Sequence, residues 1–378
     1  VAIWGLRVIR AGVGEKQGRA SITKATGYDT VPPVDPDPII PDPPVEPDSF
    51  VNRQTRPTLL NTGHRGTLQK WQGSTSTIPG DSWSATQETL TVNNSNVTYS
   101  GIDFGTAWVN VNGSQVKFID CKFKNTKAVP EANFARGLIN FANGALRNGY
   151  VGFCTFTNEP LPGNVAATFD GAIQGHDFIM ERCNVRGFTD AVGVKVASDN
   201  IEGLLRTEIR YNFLDELSWW WAPVGGIVHP SDNDTHNDTI QWQGGRGLKV
   251  IGNYIGGNVS ETVGTFDTVE NGNARTNNVD NRKMSLSAIM ISTSPRGYEF
   301  DGVIEDNWID RGKMAVNAGD DQLRGNFGII HRNKFYRNQW LVGWAMGIQS
   351  TTVINDGAGT VNKNIWLDDG SEAFRKNG

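Results

Sequence analysis

Ile209-Arg210-Tyr211-Asn212-Phe213-Leu214 returns as Val250-Ile251-Gly252-Asn253-Tyr254-Ile255 and again as Ile304-Glu305-Asp306-Asn307-Trp308-Ile309. Each phrase runs apolar, two variable residues, Asn, one variable residue, apolar. The same order, with Ile or Cys at the centre, occurs upstream as Tyr99-Ile102-Phe104, Phe118-Cys121-Phe123, Val151-Cys154-Phe156 and Met180-Cys183-Val185. Downstream it closes with Ile330-Asn333-Phe335 and Val361-Asn364-Trp366, nine instances in all. The gaps between centres run from 19 residues (Ile102 to Cys121) to 54 (Asn253 to Asn307). Recurrence on this scale marks a repeat architecture whose longer coils carry insertions.

The flanks alternate with strand period, as in Val116, Phe118 and Val192, Val194, Val196,. Strand, tight turn and strand, repeated, predict an all-β parallel β-helix in which each coil stacks on the last. The recurring Asn or Cys then sits at one corner, rung above rung. A stacked Asn bonds its neighbour's amide and satisfies turn backbone groups that are otherwise buried unpaired. A β-sandwich with turn asparagines leaves the ninefold recurrence unexplained. Cys121, Cys154 and Cys183 are the chain's three cysteines, all at this corner. Their parallel Cβ vectors suit a disulfide poorly, so three buried free thiols are expected.

Four segments follow. Residues 1–30 carry an alternating Trp4, Leu6, Val8 and then scattered glycines, too little chain for a core of their own,. They contain no apolar run long enough for an export signal, which points away from the general secretion route,. Residues 31–49 are a linker: eight of the sixteen prolines lie between Pro32 and Pro47, with Asp35, Asp37, Asp42, Glu46 and Asp48 and no Lys or Arg. That composition favours extended polyproline II, reaching roughly 50 Å at about 3.1 Å per residue. Residues 50–95, with Thr58-Leu59-Leu60-Asn61-Thr62-Gly63 and the later Leu68, Trp71, Ile78 and Trp83, are expected to cap the first rung,. Residues 96–378 are the solenoid, interrupted by insertions at about 215–237 and 257–285. The net charge of −5 disfavours a nucleic-acid partner, and no stretch is long and apolar enough to span a membrane,.

Two phrases carry a family resemblance. Asn61-Thr62-Gly63 ahead of a Trp-containing strand resembles the cap of a group of right-handed parallel β-helix proteins. His236-Asn237-Asp238-Thr239-Ile240-Gln241, followed by Gly244-Gly245, is similar to their His-x-Asp-Gly-Ile-Gln rung, with Thr239 standing in place of Gly. These pectate-lyase-like β-helices include secreted bacterial proteins and minor tail proteins of phages infecting actinobacteria. The N-terminal module and Pro/Asp spacer look more like the phage branch. The resemblance implies a protein of the virion tail tip, attached to other tail proteins through residues 1–30. It further implies recognition of a host surface glycan and a homotrimeric assembly.

Candidate chemistry sits near the insertions. Asp170, Asp190 and Asp238 can line one groove on stacked coils, and paired carboxylates there suit glycoside cleavage. The competing reading is that each Asp caps a turn. His236 is a candidate general acid or base beside Asp238. No cofactor is expected, although Asp232, Asp234, Asp238 and His236 offer a divalent-cation set that matches no calcium-loop spacing,. Uronate lyase chemistry needs a basic residue, and Arg206, Arg210, Arg246 and Lys249 lie in the region. For ligand binding the candidates are Trp219, Trp220, Trp221 and Trp242 with Gln174 and Gln241. Exposed indole faces stack on sugar rings, but the Trp triplet also suits a subunit interface or intramolecular packing. Three functions stay open: glycan binding, tail-borne depolymerisation as a glycoside hydrolase or polysaccharide lyase, and a structural tail-tip role.

Overall fold

The computed structural model divides the chain into two units, Val1–Phe50 and Val51–Gly378. It describes residues 55–126, 137–141, 148–158, 171–188, 190–195, 207–215, 238–243, 247–256, 287–292, 302–310, 314–318, 326–336, 346–348, 353–355, 363–373 and 375–377, all in the second unit. The expected attachment segment and linker, residues 1–49, lie outside the described residues.

The described chain is all-β apart from one short 3-10 turn, Gly73–Thr75. Its strands form three mostly parallel sheets stacked in rungs, a parallel β-helix-like architecture. Sheet 1 has eleven strands, from Ser82–Ser84 and Thr89–Val92 to Arg375–Asn377. Sheet 2 has nine, from Thr98–Ser100 to Val353–Asn355, and sheet 3 has ten, from Gln69–Lys70 to Ile365–Trp366. Each coil visits sheets 1, 2 and 3 in turn and then climbs to the next rung. Only the entry hairpin, Ser82–Ser84 against Thr89–Val92, is antiparallel among the paired strands.

The corner between sheets 2 and 3 is where the repeated phrase falls. Cys121 N–H donates to Cys154 Sγ (3.4 Å), Cys154 N–H to Cys183 Sγ (3.4 Å) and Cys183 N–H to Asn212 Oδ1 (2.8 Å). The chain of bonds continues through Asn253, Asn307, Asn333 and Asn364 at 2.9–3.0 Å. Each Asn Nδ2 also donates to a carbonyl of the rung before, as Asn253 does to Ile209 and Asn307 to Val250 (2.8 Å each). The thiols reproduce this second bond: Cys154 Sγ reaches Phe118 O and Cys183 Sγ reaches Val151 O. All three cysteines are free and wholly buried, as the corner reading predicts. Burial pushes the Cys154 thiol well up, which keeps it protonated and able to donate,.

Sequence pattern alone missed how the corner turns. The residue before each ladder position from Cys121 to Asn333 is left-handed: Asp120, Phe153, Arg182, Tyr211, Asp306 and Arg332 have φ between +52° and +59°, and Gly252 has +64°. One left-handed residue bends the strand through the corner in two residues, for example between Glu181 and Asn184. Asp120 and Asp306 tolerate this conformation well, and the Arg and aromatic residues adopt it at a modest steric cost, which the ladder bonds offset,.

Inside the three sheets the apolar residues stack by register. Phe104, Phe123 and Phe156 lie ring on ring, with centroids 4.7 and 5.0 Å apart. At the open end Trp71 stacks on Phe104 (5.1 Å) and meets Trp83 edge-on (5.8 Å), so Trp71, Ile78 and Trp83 pack against the first rung. Residues 58–63 depart from the expected cap position. They run beside the solenoid, where Gly63 N–H donates to Arg182 O (2.8 Å) three coils below the first. Gly63 has φ +88°, and a Cβ there would sit 2.6 Å from Thr155 Oγ1, so Gly is what lets this segment lie flat on the wall,.

Candidate functional site

Sheet 1 differs from the other two in its borders. From the coil of Ile119 to that of His331, sheet 2 passes to sheet 3 in two residues. Over these coils the long connections enter or leave sheet 1: Asn125 to Ile139, Asn158 to Ile173, Asp215 to Asp238 and Gly256 to Ser287 on one edge, Phe141 to Gly149, Lys195 to Glu208 and Ser292 to Gly302 on the other. The outer face of sheet 1 is therefore a floor with insertions rooted on both sides, where repeat proteins concentrate recognition.

Strand alternation decides what that floor presents. Val109, Val111, Ile139, Phe141, Ile173, Val192, Ile240 and Ile289 point inward and are fully buried. The residue between each pair points out. In register these are Asn110, Asn140, Gln174, Gly193, Gln241, Met290 and Asn317, and the same register runs on to Thr91 at one end and to Gly347 and Lys376 at the other. Of the seven, five are carboxamides and none is charged. Asn110, Asn140, Gln241 and Asn317 are half-buried. Gln174 lies over the next rung, since a Cβ on Gly193 would meet its Cγ at 3.3 Å and its Nε2 at 3.5 Å. Gly193 thus makes room for the amide to lie along the sheet.

The sequence candidates distribute unevenly around this column. Gln174 and Gln241 belong to it. Trp242 follows Gln241 and so takes the opposite face: it is 1 % exposed, in register between Val194 and Ile291 inside the core. That corrects the expectation of an outward indole there, because strand period places Trp242 and Gln241 on opposite sides. Asp190 and Asp238 meet at the edge of sheet 1, both buried. Asp190 Oδ1 accepts the Asp238 N–H at 2.9 Å, and Ala191 N–H donates to Thr239 O. This is the geometry of a carboxylate holding the entry of the next strand. Thr239 is fully buried and donates its hydroxyl to Gly256 O (2.7 Å), a bond that Gly in its place cannot make. Asp170, His236 and Trp219, Trp220 and Trp221 lie outside the described residues, as do Asp232, Asp234, Arg206 and Arg246.

The remaining basic candidates sit elsewhere. Arg210 is on sheet 2, paired with Glu181 (3.0 Å) and Glu208 (3.2 Å), while Lys249 pairs with Glu208 (3.2 Å). Burial pulls the Arg210 guanidinium down, but Glu181 and Glu208 outweigh it and hold the group firmly charged. That is a cross-rung ion ladder rather than a lyase base, since neither residue faces the groove of sheet 1.

Sequence reasoning missed Asn110, Asn140 and Asn317. Their signal was present as a recurring apolar–carboxamide–apolar triplet, Val109-Asn110-Val111, Ile139-Asn140-Phe141, Ile240-Gln241-Trp242 and Val316-Asn317-Ala318. Among the described residues no group of three or more His, Cys, Asp or Glu is arranged to hold a metal ion, and no helix is long and apolar enough to cross a membrane.

Fold and face define a repetitive all-β protein with a parallel β-helix-like body and, among the described residues, a carboxamide-rich outer column on the sheet that long connections border on both sides. Comparison with protein-family models, with curated proteins and with solved structures gives no match.

Proposed function

We propose that this chain is a minor tail protein of a phage, and that its solenoid, wound as a right-handed β-helix, binds a glycan on the host surface. The observation that carries the reading is the column of half-buried Asn110, Asn140, Gln241 and Asn317, with Gln174 buried in line with them, on the sheet bordered by the insertions. Carboxamides offer both donors and acceptors, which matches the hydroxyls of neutral sugars. Asn110, Asn140 and Gln174 follow on consecutive rungs about 4.8 Å apart, a spacing on the scale of a sugar ring, while Gly193 and Met290 set Gln241 and Asn317 each two rungs from the carboxamide before. Right-handed crossovers are the strong rule for parallel strands in one sheet, which supports the handedness.

Residues 1–30 are proposed to attach the protein to other tail components, and residues 31–49 to space it from them. A homotrimer is the proposed assembly, because threefold display of one column raises avidity without new contacts. Copy number in the assembled tail tests it. Binding is favoured over depolymerisation because the Asp190 carboxylate accepts a strand-entry amide and so has a structural task.

The test is retention of full-length protein on isolated actinobacterial cell-wall glycans, followed by product analysis. Retention that falls at least ~10-fold in Asn140→Ala/Gln241→Ala, with no new reducing ends and no rise in ultraviolet absorbance, is the expected result. Retention unchanged by those substitutions refutes the site. Products in the retained sample would establish the depolymerase reading instead.

A further inference from the structure

We propose that residues 56–66 form a latch that opens while the solenoid stays folded, and that its release uncovers an aromatic column on the outer face of sheet 3. The inference stands apart from the glycan reading and from sheet 1.

The segment runs against the coil order. Arg65 clamps Asp120 through Nε and Nη2 (2.8 and 2.9 Å) and lies 3.5 Å over the Phe153 ring, on the second and third coils. His64 N–H donates to Thr155 Oγ1 (3.1 Å) on the third coil, and Gly63 N–H to Arg182 O on the fourth. Arg56 lies 5.1 Å over the Tyr254 ring on the sixth coil and bonds the Tyr336 hydroxyl on the eighth. The chain therefore enters beside the eighth coil and climbs the wall before Gln69–Lys70 pairs with the first coil at Ile102 and Asp103.

The wall beneath is unlike sheet 1. Its outward register reads Thr155, Asn184, Phe213, Tyr254, Trp308 and Lys334. Phe213 stacks on Tyr254 with centroids 5.0 Å apart and planes 12° off parallel, and Lys334 Nζ sits 4.3 Å over the Trp308 ring. Outward rings on a sheet face are normally accessible, yet Tyr254 is only 7 % exposed. The Arg56 guanidinium over its ring supplies part of that cover.

What holds the segment is weak beside what holds the rungs. Of residues 56–66 only Pro57 and Gly63 are buried, and Leu59 and Leu60 are 44 % and 98 % exposed. It is tied down by a half-exposed ion pair, cation–π contacts and a few hydrogen bonds, with almost no apolar area. Ladder amides, by contrast, are buried and bonded on both sides. Segments with few buried apolar contacts and exposed bonds open locally, ahead of the global transition. Residue 56 is also the end nearest in sequence to the Pro/Asp stretch. A partner that holds or pulls residues upstream of it acts first on Arg56, so the latch links events at the N-terminal side of the chain to the solenoid wall.

The test is native-state hydrogen exchange of the full-length chain with residue-level mass spectrometry, alongside hydroxyl-radical footprinting of Tyr254 and Phe213. The Gly63 and His64 amides should exchange at least ~100-fold faster than the Asn212 and Asn253 ladder amides. Gly63→Val, which places a side chain against Thr155 Oγ1, should speed them further, leave the ladder amides unchanged and raise Tyr254 oxidation several-fold. Arg56→Ala/Arg65→Ala removes both end clamps without new bulk and should do the same if the valine variant does not fold. Exchange of Gly63 at the ladder's own rate overturns the latch, because the segment then opens only when everything does. Unchanged Tyr254 reactivity in a variant with fast Gly63 exchange overturns the uncovering.

Discussion

Replacing Asn307 by Ala should remove the middle of the corner ladder. Four bonds meet at this carboxamide. Oδ1 accepts Asn253 N–H (2.9 Å) and Asn253 Nδ2 (3.0 Å), and Nδ2 donates to Val250 O (2.8 Å) and Asn333 Oδ1 (2.9 Å). Two of the partners keep other bonds: Asn253 Nδ2 still reaches Ile209 O, and Asn333 Oδ1 still accepts Asn307 N–H. Asn253 N–H loses its bond at a site with no exposure. A stranded buried donor costs about 1–3 kcal/mol, and the other lost bonds about 1 kcal/mol each. The expected loss is about 4–6 kcal/mol, measured as the shift in unfolding free energy by urea titration followed by tryptophan fluorescence. Asn307→Cys should cost roughly half as much, because Cys154 and Cys183 show a thiol taking both the acceptor and donor roles at longer reach. If Ala costs under about 1 kcal/mol, or if Cys is no better than Ala, the ladder is not what secures the corner.

Three further outcomes follow from the same geometry. Gly252→Ala combines a φ of +64° with a Cβ 2.7 Å from the Tyr211 ring, so it should destabilise by about 2 kcal/mol, and Tyr211→Ala in the same chain should recover part of that by removing the contact. Cys121, Cys154 and Cys183 should resist thiol reagents at pH 8 until urea unfolds the protein, and native labelling at two of them would contradict the rung register. Stability should fall at alkaline pH. Burial pushes the Cys154 thiol up, and burial with the carboxylates of Asp81, Glu181 and Asp215/Asp310 pushes the Tyr99, Tyr150 and Tyr254 phenols up. Hydrogen bonding to Cys154 pulls the Cys121 thiol down and so opposes the Cys154 contribution, but the phenol protons are held more tightly in the folded state, so stability is full below the unfolded Tyr value and declines above about pH 10. A urea midpoint that stays flat from pH 8 to about pH 11 would show that these groups ionise without penalty.

The fold was legible because one element of it repeats. The Asn or Cys of each phrase must sit at a corner to bond its copy one rung away, and the alternating apolar residues around it must then face inward. The left-handed residue before each corner was not legible, since Asp120, Phe153, Arg182 and Tyr211 share no side-chain chemistry. Nothing local betrays that they bend alike. The site was half legible. Gln174 and Gln241 were marked by their phrases, but Trp242 was read by its chemistry when its strand parity decided its side. Asn110 and Asn140 were passed over because each alone is an ordinary polar residue in a strand, and only the register that stacks them makes a column. The wall segment from Arg56 to Gly63 was misplaced for a related reason. A phrase ahead of the first strand suggests a cap, and only long-range contacts to Arg182, Tyr254 and Tyr336 show it lying alongside.

The most direct measurement of the central claim is hydrogen-exchange footprinting of the full-length protein with and without a retained cell-wall glycan. The account predicts protection concentrated in peptides spanning Trp108–Val111, Ile139–Phe141, Ile173–Gly175, Asp238–Gln243 and Met314–Ala318, the strands that carry the carboxamides of the column. Protection confined to the ion ladder of Glu181, Arg210, Glu208 and Lys249 on sheet 2, with sheet 1 unchanged, would contradict it.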